Sequence, residues 1–178
     1  MAGRLQEVLK RIPLGLRHAV YSVSFLTVVL AVLPWLGYRM DLHFPCLHVE
    51  LGWWRLPGGV LFLACMASYL RCSYVLTHRG MGAYVEFDPP KELVTSGPYR
   101  HVRNPVAASL LWASFGEVIA LSSTGALLIW CCGAGLAHLQ VTRLEEPLLE
   151  KRFGRQYMRY RESVPRWIPR IVKRRRAR

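Results

Sequence analysis

A cluster of cationic and helix-capping residues stands directly before a long apolar run in the stretch SGPYRHVRNP, residues 96–105. The polar members of the cluster are Arg100, His101, Arg103 and Asn104. Asn at the N-cap and Pro at the first helical position mark a helix start, and such a helix end offers N–H groups to an anion. Arg100 and Arg103 are three residues apart, so on a helical turn both would point the same way. The motif predicts a helix cap, and with it either a lipid-headgroup anchor or a site for an anionic or zwitterionic small molecule.

A pair of acids, Glu145 and Glu146, follows directly after the last apolar run. His138 and Thr142 lie at helical spacing from this pair and would share a face with it. The acids could be solvated partners of the many nearby cations, and surface ion pairs of that kind contribute little to stability. The alternative is that they hold a cationic group of a ligand at the edge of the membrane.

The C-terminal stretch FGRQYMRYRESVPRWIPR combines aromatic and cationic residues. Phe153, Tyr157 and Tyr160 are spaced to share one helical face, a pattern more typical of packing than of recognition. Arg166 and Arg170 flank a tryptophan and could hold lipid headgroups or a substrate carboxylate.

One further acid, Glu117, lies inside an apolar run and four residues before its apparent end. An ionisable residue within a membrane segment is a functional hypothesis by default, although the nearby end of the run favours an interfacial position. The sequence has no Ser/His/Asp series and no phosphate-binding loop, and its five cysteines follow neither a metal nor a disulfide pattern. We therefore expect no metal site.

The composition indicates an integral membrane protein. Hydrophobic residues make up 52% of the 178-residue chain, yet its formal net charge is +13. The apolar residues fall in long blocks, with basic segments between and after them, as in polytopic membrane proteins. No nucleic-acid partner is expected, because basic nucleic-acid contacts would decorate a soluble fold. Anionic lipid headgroups are the expected partner of the basic C-terminal tail.

The apolar blocks predict an all-α, polytopic membrane protein with about four transmembrane helices, of which the last two form a hairpin. The expected spans are, roughly, residues 18–38, 57–77, 106–121 and 124–142. Pro34 would bend the first span near its end, and Pro147 would begin a separate C-terminal helix. Residues 1–18 are basic and amphipathic and are expected on the membrane surface.

The distribution of cations predicts the orientation of the chain. An even number of spans puts both termini on one side, and the strongly basic segments alternate onto that same side. The positive-inside bias makes this side cytoplasmic. The cationic motif, the acid pair and the basic tail would then meet at one cytoplasmic face.

Two motifs in order give the chain a family resemblance. GPYRHVRNP, an apolar hairpin, and EEPLLEKRFGRQYMRYRESVPRWIP together resemble the isoprenylcysteine carboxyl methyltransferases and the related phospholipid N-methyltransferases, in particular their bacterial members. The likeness covers about residues 80–169. It implies an integral membrane enzyme that uses S-adenosylmethionine without a soluble Rossmann-type fold. The cofactor would sit in a cytoplasm-facing pocket, and a lipophilic substrate would enter from the bilayer.

The resemblance also implies site residues. The first motif matches the family's cofactor motif at Tyr99, Arg100, Arg103, Asn104 and Pro105, and the second matches it at Glu145 and Glu146. We add two candidate cofactor-binding residues from their positions alone: His101, within the first motif, and His138, on the helical face of the acid pair. The helix N-terminus with Arg100 or Arg103 would hold the cofactor carboxylate, and Glu145 or Glu146 its ammonium or ribose hydroxyls. Arg166 or Arg170 would orient an acceptor carboxylate. An amine acceptor would instead need a base, for which His101 and Glu117 are the candidates.

The expected activity is S-adenosylmethionine-dependent methyl transfer to a lipophilic acceptor, similar to the isoprenylcysteine carboxyl O-methyltransferases. The alternatives are a phospholipid amine N-methyltransferase, an NADPH-dependent membrane reductase of the sterol type, and a non-catalytic scaffold. Ala107 stands where the family pattern has tyrosine, and because of this difference the scaffold remains one of the alternatives. On this reading the chain is one domain, with two spans in residues 1–77, the catalytic core in 78–169 and a basic tail in 170–178. A bacterial inner membrane is expected rather than the endoplasmic reticulum.

Overall fold

The computed structural model describes residues 13–45, 49–80 and 91–169, and within these ranges the chain is helical and has no β-strand. The α-helices are α1 (Leu14–Thr27), α2 (Leu33–His43), α3 (Arg55–Gly80), α4 (Pro105–Leu121), α5 (Thr124–Gln140), α6 (Glu146–Phe153) and α7 (Arg155–Ser163). Two π-helical turns, Val28–Val32 and Val141–Glu145, join α1 to α2 and α5 to α6. The prediction of an all-α fold is confirmed. Residues 1–12 of the surface segment expected at residues 1–18 lie outside the described residues, and residues 14–18 begin α1.

Within the described ranges, three continuous helices are long and apolar enough to cross a membrane: Ala19–His43, Gly52–Gly80 and Thr124–Phe153. The remaining apolar helix, α4, has 17 residues and is shorter. The hairpin of α4 and α5 begins and turns close to the predicted residues. The last long helix does not stop near residue 142 as predicted, because the π turn carries it on into α6. The separate C-terminal helix expected from Pro147 is therefore two helices, the first continuous with α5 and the second beginning after Gly154, whose φ is +50°.

Both π turns end two residues before a proline, Pro34 in one case and Pro147 in the other. A proline within a helix has no N–H to donate, and its ring clashes with the carbonyl four residues earlier. A π turn inserts one extra residue into the helix and moves that carbonyl away. The helix therefore continues through each proline with a π turn and does not break.

The tip of the hairpin is tied to the end of α2. Ser122 adopts a left-handed conformation, and Ser123 caps α5 by accepting a hydrogen bond from the N–H of Ala126 (3.0 Å). Asp41 accepts hydrogen bonds from Ser123 Oγ and from the N–H of Gly125 (2.8 Å), and it is buried. The predicted first span ends at residue 38, but the helix continues through Asp41 to His43. The Asp41 side chain is buried because its carboxylate completes the cap of α5.

Glycines allow α3 and α4 to approach closely. A Cβ at Gly58 would lie 2.7 Å from the backbone N of Ala120, and one at Gly116 would lie 2.6 Å from the backbone N of Phe62. Further along the same interface, Ser68 and Ser109 share a hydrogen bond (3.0 Å). Small residues and hydroxyl pairs of this kind hold helices together in membranes, where apolar burial adds little.

Gly58→Ala should destabilise the protein strongly, whereas Gly59→Ala should leave stability unchanged or raise it slightly. The added methyl at Gly58 meets the backbone of α4, but nothing lies within 4 Å of a Cβ at Gly59. Alanine is also favoured over glycine in a helix by about 1 kcal/mol. The thermal midpoints of the two variants in detergent provide the measurement, and equal midpoints would contradict this interface.

At the other end of the molecule a small core joins the loop before α4 to the C-terminal helices. Tyr157, Tyr160 and Val164 are buried, and Leu93, Leu149 and Phe153 pack against them. The hydroxyl of Tyr160 donates to the backbone carbonyl of Tyr99 (2.5 Å). The aromatic residues predicted to share a face do pack together, although Gly154 interrupts their helix. This core fixes the cationic motif beside the acid pair.

Candidate active site

Glu146 is the centre of a buried ion-pair cluster. Arg166 grips it with two hydrogen bonds, from Nε to Oε1 (2.7 Å) and from Nη2 to Oε2 (2.8 Å). Nη2 of Arg103 lies 3.2 Å from the same Oε1. The side chains of Arg103 and Glu146 are only 8% and 5% exposed. Two guanidinium groups share one carboxylate, so the cluster carries an excess positive charge.

The π turn decides which of the two adjacent acids enters this cluster. In a regular α-helix Glu145, four residues after the buried Val141, would lie on its face. Across the π turn, the N–H of Glu146 bonds to the carbonyl of Val141, five residues back. Glu146 therefore takes the inward position, while Glu145 is only partly buried and accepts a hydrogen bond from Gln140 Nε2 (3.2 Å). The two acids, predicted as equivalent, have different surroundings.

The two arginines of the cationic motif also differ. Arg103 is drawn into the cluster, whereas Arg100 is exposed and donates from Nε to Nε2 of His101 (3.0 Å), which is exposed as well. The prediction that Arg100 and Arg103 point the same way is wrong. The helical turn ends at Arg100, and residues 101–104 are not helical, so helical spacing does not apply across them.

Asn104 occupies the N-cap of α4 and Pro105 the first turn, as predicted. The Asn104 side chain makes no capping hydrogen bond, however, and its Nδ2 is buried without a partner. The backbone N–H groups of Arg103 and Asn104 bond to the carbonyls of Pro165 (2.8 Å) and Arg166 (3.4 Å). The N–H groups that lead into α4 are thus occupied by the chain itself.

Four buried donors beside the cluster make no hydrogen bond within the described residues. They are Nε and Nη1 of Arg103, Nδ2 of Asn104 and the hydroxyl of Tyr99. Burial is the main cause that raises the pKa of Tyr99 well above its ordinary value, so this hydroxyl is a neutral donor at physiological pH. Unpaired buried donors are costly, and these need an acceptor from outside the described residues.

Two cavities lie near the cluster. A narrow crevice of about 60 Å³ lies beside Arg103, Tyr99, Tyr157 and Tyr160. A larger cavity of about 440 Å³ is lined by His78, Arg79 and residues 92–96. Although the larger cavity shares Glu92, Leu93 and Val94 with the crevice, none of the predicted site residues lines it. We therefore assign the site to the crevice, which is lined by Arg103 and Tyr99, two of the three residues with unpaired donors.

Three predicted residues lie elsewhere or differ from expectation. Arg166 turns its Nε and Nη2 toward Glu146, and this bond raises the pKa of its guanidinium. Its predicted role at an acceptor carboxylate has no support in this arrangement. His138 is exposed and pairs through Nδ1 with Nε1 of Trp167 (3.2 Å). Glu117 is twelve residues after Pro105, about 18 Å along α4 from the cluster. The predicted Arg170 lies outside the described residues.

Sequence reasoning missed two residues of the site. Gln140 orients Glu145, and Tyr160 holds the backbone of Tyr99. Gln140 carries a weak signal, since a polar amide near the end of an apolar helix suggests a partner there. Tyr160 was expected only to pack against other aromatic residues. Nothing in the sequence around it indicates that its hydroxyl donates a hydrogen bond to the carbonyl of Tyr99.

The fold and site together define a polytopic membrane protein with a buried polar site at one end of its helices. The chain belongs to the phospholipid methyltransferase family, whose sequence model matches residues 54–156, more than half of the 178 residues. The matched region contains Tyr99, Arg103, Glu145 and Glu146 and ends before Arg166. No curated protein sequence matches the chain. Family membership assigns the chain to the membrane methyltransferases.

Proposed function

We propose that the protein transfers a methyl group from S-adenosylmethionine to a lipophilic acceptor held in the membrane. The observation that carries this proposal is the buried Arg103–Glu146 pair with its unpaired donors, inside the region that matches a methyltransferase family. An NADPH-dependent reductase has no comparable support, since the family match is to methyltransferases.

The unpaired donors suit the amino-acid end of the cofactor. The unpaired buried atoms of Arg103, Asn104 and Tyr99 can all donate hydrogen bonds, and the cluster has one more cation than anion, so a carboxylate would complement both. The crevice of about 60 Å³ has room for a group of that size, because one water needs only about 10–15 Å³ on a comparable measure. Glu145, rather than the occupied Glu146, is the acid available to an ammonium group or to ribose hydroxyls.

When bound, S-adenosylmethionine supplies a methyl group already activated by a sulfonium. The residues of the chain then have to bind, to align and to exclude water, which are the main contributions expected for such a transfer. Arg103 would bind the amino-acid end of S-adenosylmethionine, and Glu146 holds the Arg103 side chain in place. Tyr157, which is buried and held neutral by a pKa raised to about 12, lines the crevice without adding charge.

The acceptor is either a lipid carboxylate, as in the isoprenylcysteine enzymes, or a phospholipid amine. The family match is equally consistent with both acceptors, and the described site favours neither. A carboxylate needs no base, whereas a protonated amine must lose a proton before it attacks. Glu145 is the acid at the site that could accept this proton. Glu117 lies too far along α4, and His101 is exposed and paired with Arg100.

The test uses purified protein, methyl-labelled S-adenosylmethionine and bilayers that contain either a phospholipid amine or a prenylated cysteine acid. We expect label in the lipid fraction. Label that mild base releases as methanol would identify a carboxyl ester, and base-stable label would identify a methylated amine. No label in any lipid, including a total bacterial lipid extract, would contradict the proposed activity.

We also propose that the site faces the cytoplasm, with both termini on that side and the chain in a bacterial inner membrane. The support is the cationic bias of the segments at this end and the need for a soluble cofactor. A C-terminal alkaline phosphatase fusion, active only outside the cytoplasm, should be inactive. An active fusion would reverse the orientation.

A further inference from the structure

The crevice beside Arg103 is too small for the whole of the ligand that the proposed function requires. Sites that bind molecules of cofactor size measure about 300–1,000 Å³, whereas the crevice measures about 60 Å³. It has room for the carboxylate of S-adenosylmethionine but not for the adenosine moiety. The remainder of the cofactor therefore needs a second space next to the crevice.

The larger cavity, of about 440 Å³, provides a space of the required size beside the crevice. Residues 92–94 line both the cavity and the crevice, so one short segment of the chain borders both spaces. The N–H groups of Lys91 and Glu92 bond to the carbonyl of Gly80 (2.7 and 3.3 Å) and hold this segment against the end of α3. All residues that line the larger cavity also lie inside the region that matches the family. A ligand anchored at Arg103 would reach the larger cavity across this segment.

The length of α3 places the larger cavity at the surface of the membrane. α3 has 26 residues and is about 39 Å long, which exceeds a hydrocarbon core of about 30 Å. Trp53 and Trp54, just before its first residue, are 86% and 72% exposed and suit the interface at that end. The surplus length then projects at the other end, where His78 and Arg79 line the cavity. This position suits a soluble nucleoside better than the apolar chain of an acceptor.

The side chains that line the larger cavity match the two parts of a nucleoside. Arg79 donates from Nη1 to Ser96 Oγ, and a guanidinium held in this way offers a flat face on which an aromatic base can stack. The hydroxyls of Thr95 and Ser96 are available to the polar edge of the base. Glu92 lines both spaces, and its carboxylate accepts hydrogen bonds without donating any, as the two hydroxyls of a ribose require.

Resting on the proposed function, we infer that the larger cavity holds the adenosine moiety of S-adenosylmethionine, and that Glu92 accepts hydrogen bonds from its ribose hydroxyls. The cofactor then spans both spaces, with its carboxylate at Arg103 and its base beside Arg79. Glu145 is left for the ammonium group.

The first test measures the binding of two ligands to the full-length protein in detergent by calorimetry. S-adenosylmethionine carries the amino-acid and nucleoside groups, whereas 5′-methylthioadenosine carries the nucleoside alone. Glu92→Gln removes the charged acceptor at the ribose, so we expect it to weaken the binding of both ligands about 10-fold. Arg103→Lys should weaken the binding of S-adenosylmethionine only. Glu162→Gln is the control, because Glu162 is an exposed acid that lines neither cavity, and it should bind both ligands as the wild type does.

Each other outcome of this test has a distinct meaning. Unchanged binding of 5′-methylthioadenosine by Glu92→Gln would overturn the role of Glu92 at the ribose. A wild type that binds S-adenosylmethionine but not 5′-methylthioadenosine would contradict the nucleoside site and leave the proposed function intact. If the wild type binds neither ligand, the proposed function fails, and this inference fails with it.

The second test separates a nucleoside from the headgroup of a lipid acceptor, which the cation of Arg79 would also attract. Thr95 is exposed and lines the larger cavity but not the crevice, so Thr95→Trp fills part of the cavity and leaves the donors of Arg103 unchanged. We expect it to weaken S-adenosylmethionine binding by about 10-fold or more. Lys91→Trp is the control, because Lys91 is exposed and lines neither cavity.

The thermal midpoints of the ligand-free variants check that both tryptophan variants are folded. Unchanged S-adenosylmethionine binding by Thr95→Trp would overturn the inference. A raised KM for the lipid acceptor in the same variant would then assign the larger cavity to the acceptor.

Discussion

Glu146→Gln should destabilise the protein by about 3 kcal/mol, whereas Glu145→Gln should cost far less. The glutamine keeps the size of Glu146 but removes the charge that two guanidinium groups share, and Arg103 would be left buried without a counterion. The Glu145 carboxylate accepts a hydrogen bond from the amide of Gln140 and forms no ion pair within the described residues. Removal of its charge therefore breaks no ion pair.

The measurement is the free energy of unfolding of both variants from denaturant titration in the same detergent. The two positions are adjacent in sequence and carry the same substitution, so differences in the detergent or in the unfolded state cancel. Equal destabilisation, or a larger effect at Glu145, would show that the π turn does not select Glu146 in the folded protein.

Arg103→Lys should weaken S-adenosylmethionine binding by about 10- to 100-fold, as expected for the loss of charged hydrogen bonds. Lysine retains a cation beside Glu146 but has no nitrogens that could replace Nε and Nη1 of Arg103. These two unpaired nitrogens are the donors that we expect to bind the ligand. An alanine at this position would confuse binding with folding. The buried ion pair predicts that Arg103→Ala would lower the stability of the protein as well as its binding.

Arg100→Lys is the matched control for Arg103→Lys, because Arg100 belongs to the same motif and is exposed. We expect it to bind S-adenosylmethionine as the wild type does. If Arg100→Lys weakens binding as much as Arg103→Lys, the contribution of the motif is a general positive charge. The assignment of the ligand to the crevice would then be wrong.

The elements of this fold follow from local signals that the sequence displays openly. The Asn104–Pro105 pair marks the start of α4, and the serine-rich break marks the hairpin tip. Both signals depend on residues close together in the chain, which is why they can be read without the structure. The family resemblance likewise depends on two local motifs, and the match to the phospholipid methyltransferases supports it.

The roles within the site could not be predicted, because they depend on helix register and on distant contacts. A single extra residue in the π turn before Pro147 moves Glu146 inward, and regular helical spacing cannot show this. Arg166, the partner of Glu146, is twenty residues away, beyond the break at Gly154 and the end of α7 at Ser163. The role of Asp41 could not be predicted for the same reason, because its hydrogen-bond partner Gly125 at the hairpin tip is 84 residues away in the chain.

The central claim is that this site binds S-adenosylmethionine. The most direct measurement is calorimetric titration of the detergent-purified wild type with S-adenosylmethionine, and with NADPH as the control ligand. We expect saturable binding of S-adenosylmethionine and no heat of binding from NADPH. Binding of NADPH alone would favour the reductase alternative. Binding of neither ligand would contradict the methyltransferase assignment. It would favour a non-catalytic scaffold, in which Ala107 in place of tyrosine has removed the binding of the ligand.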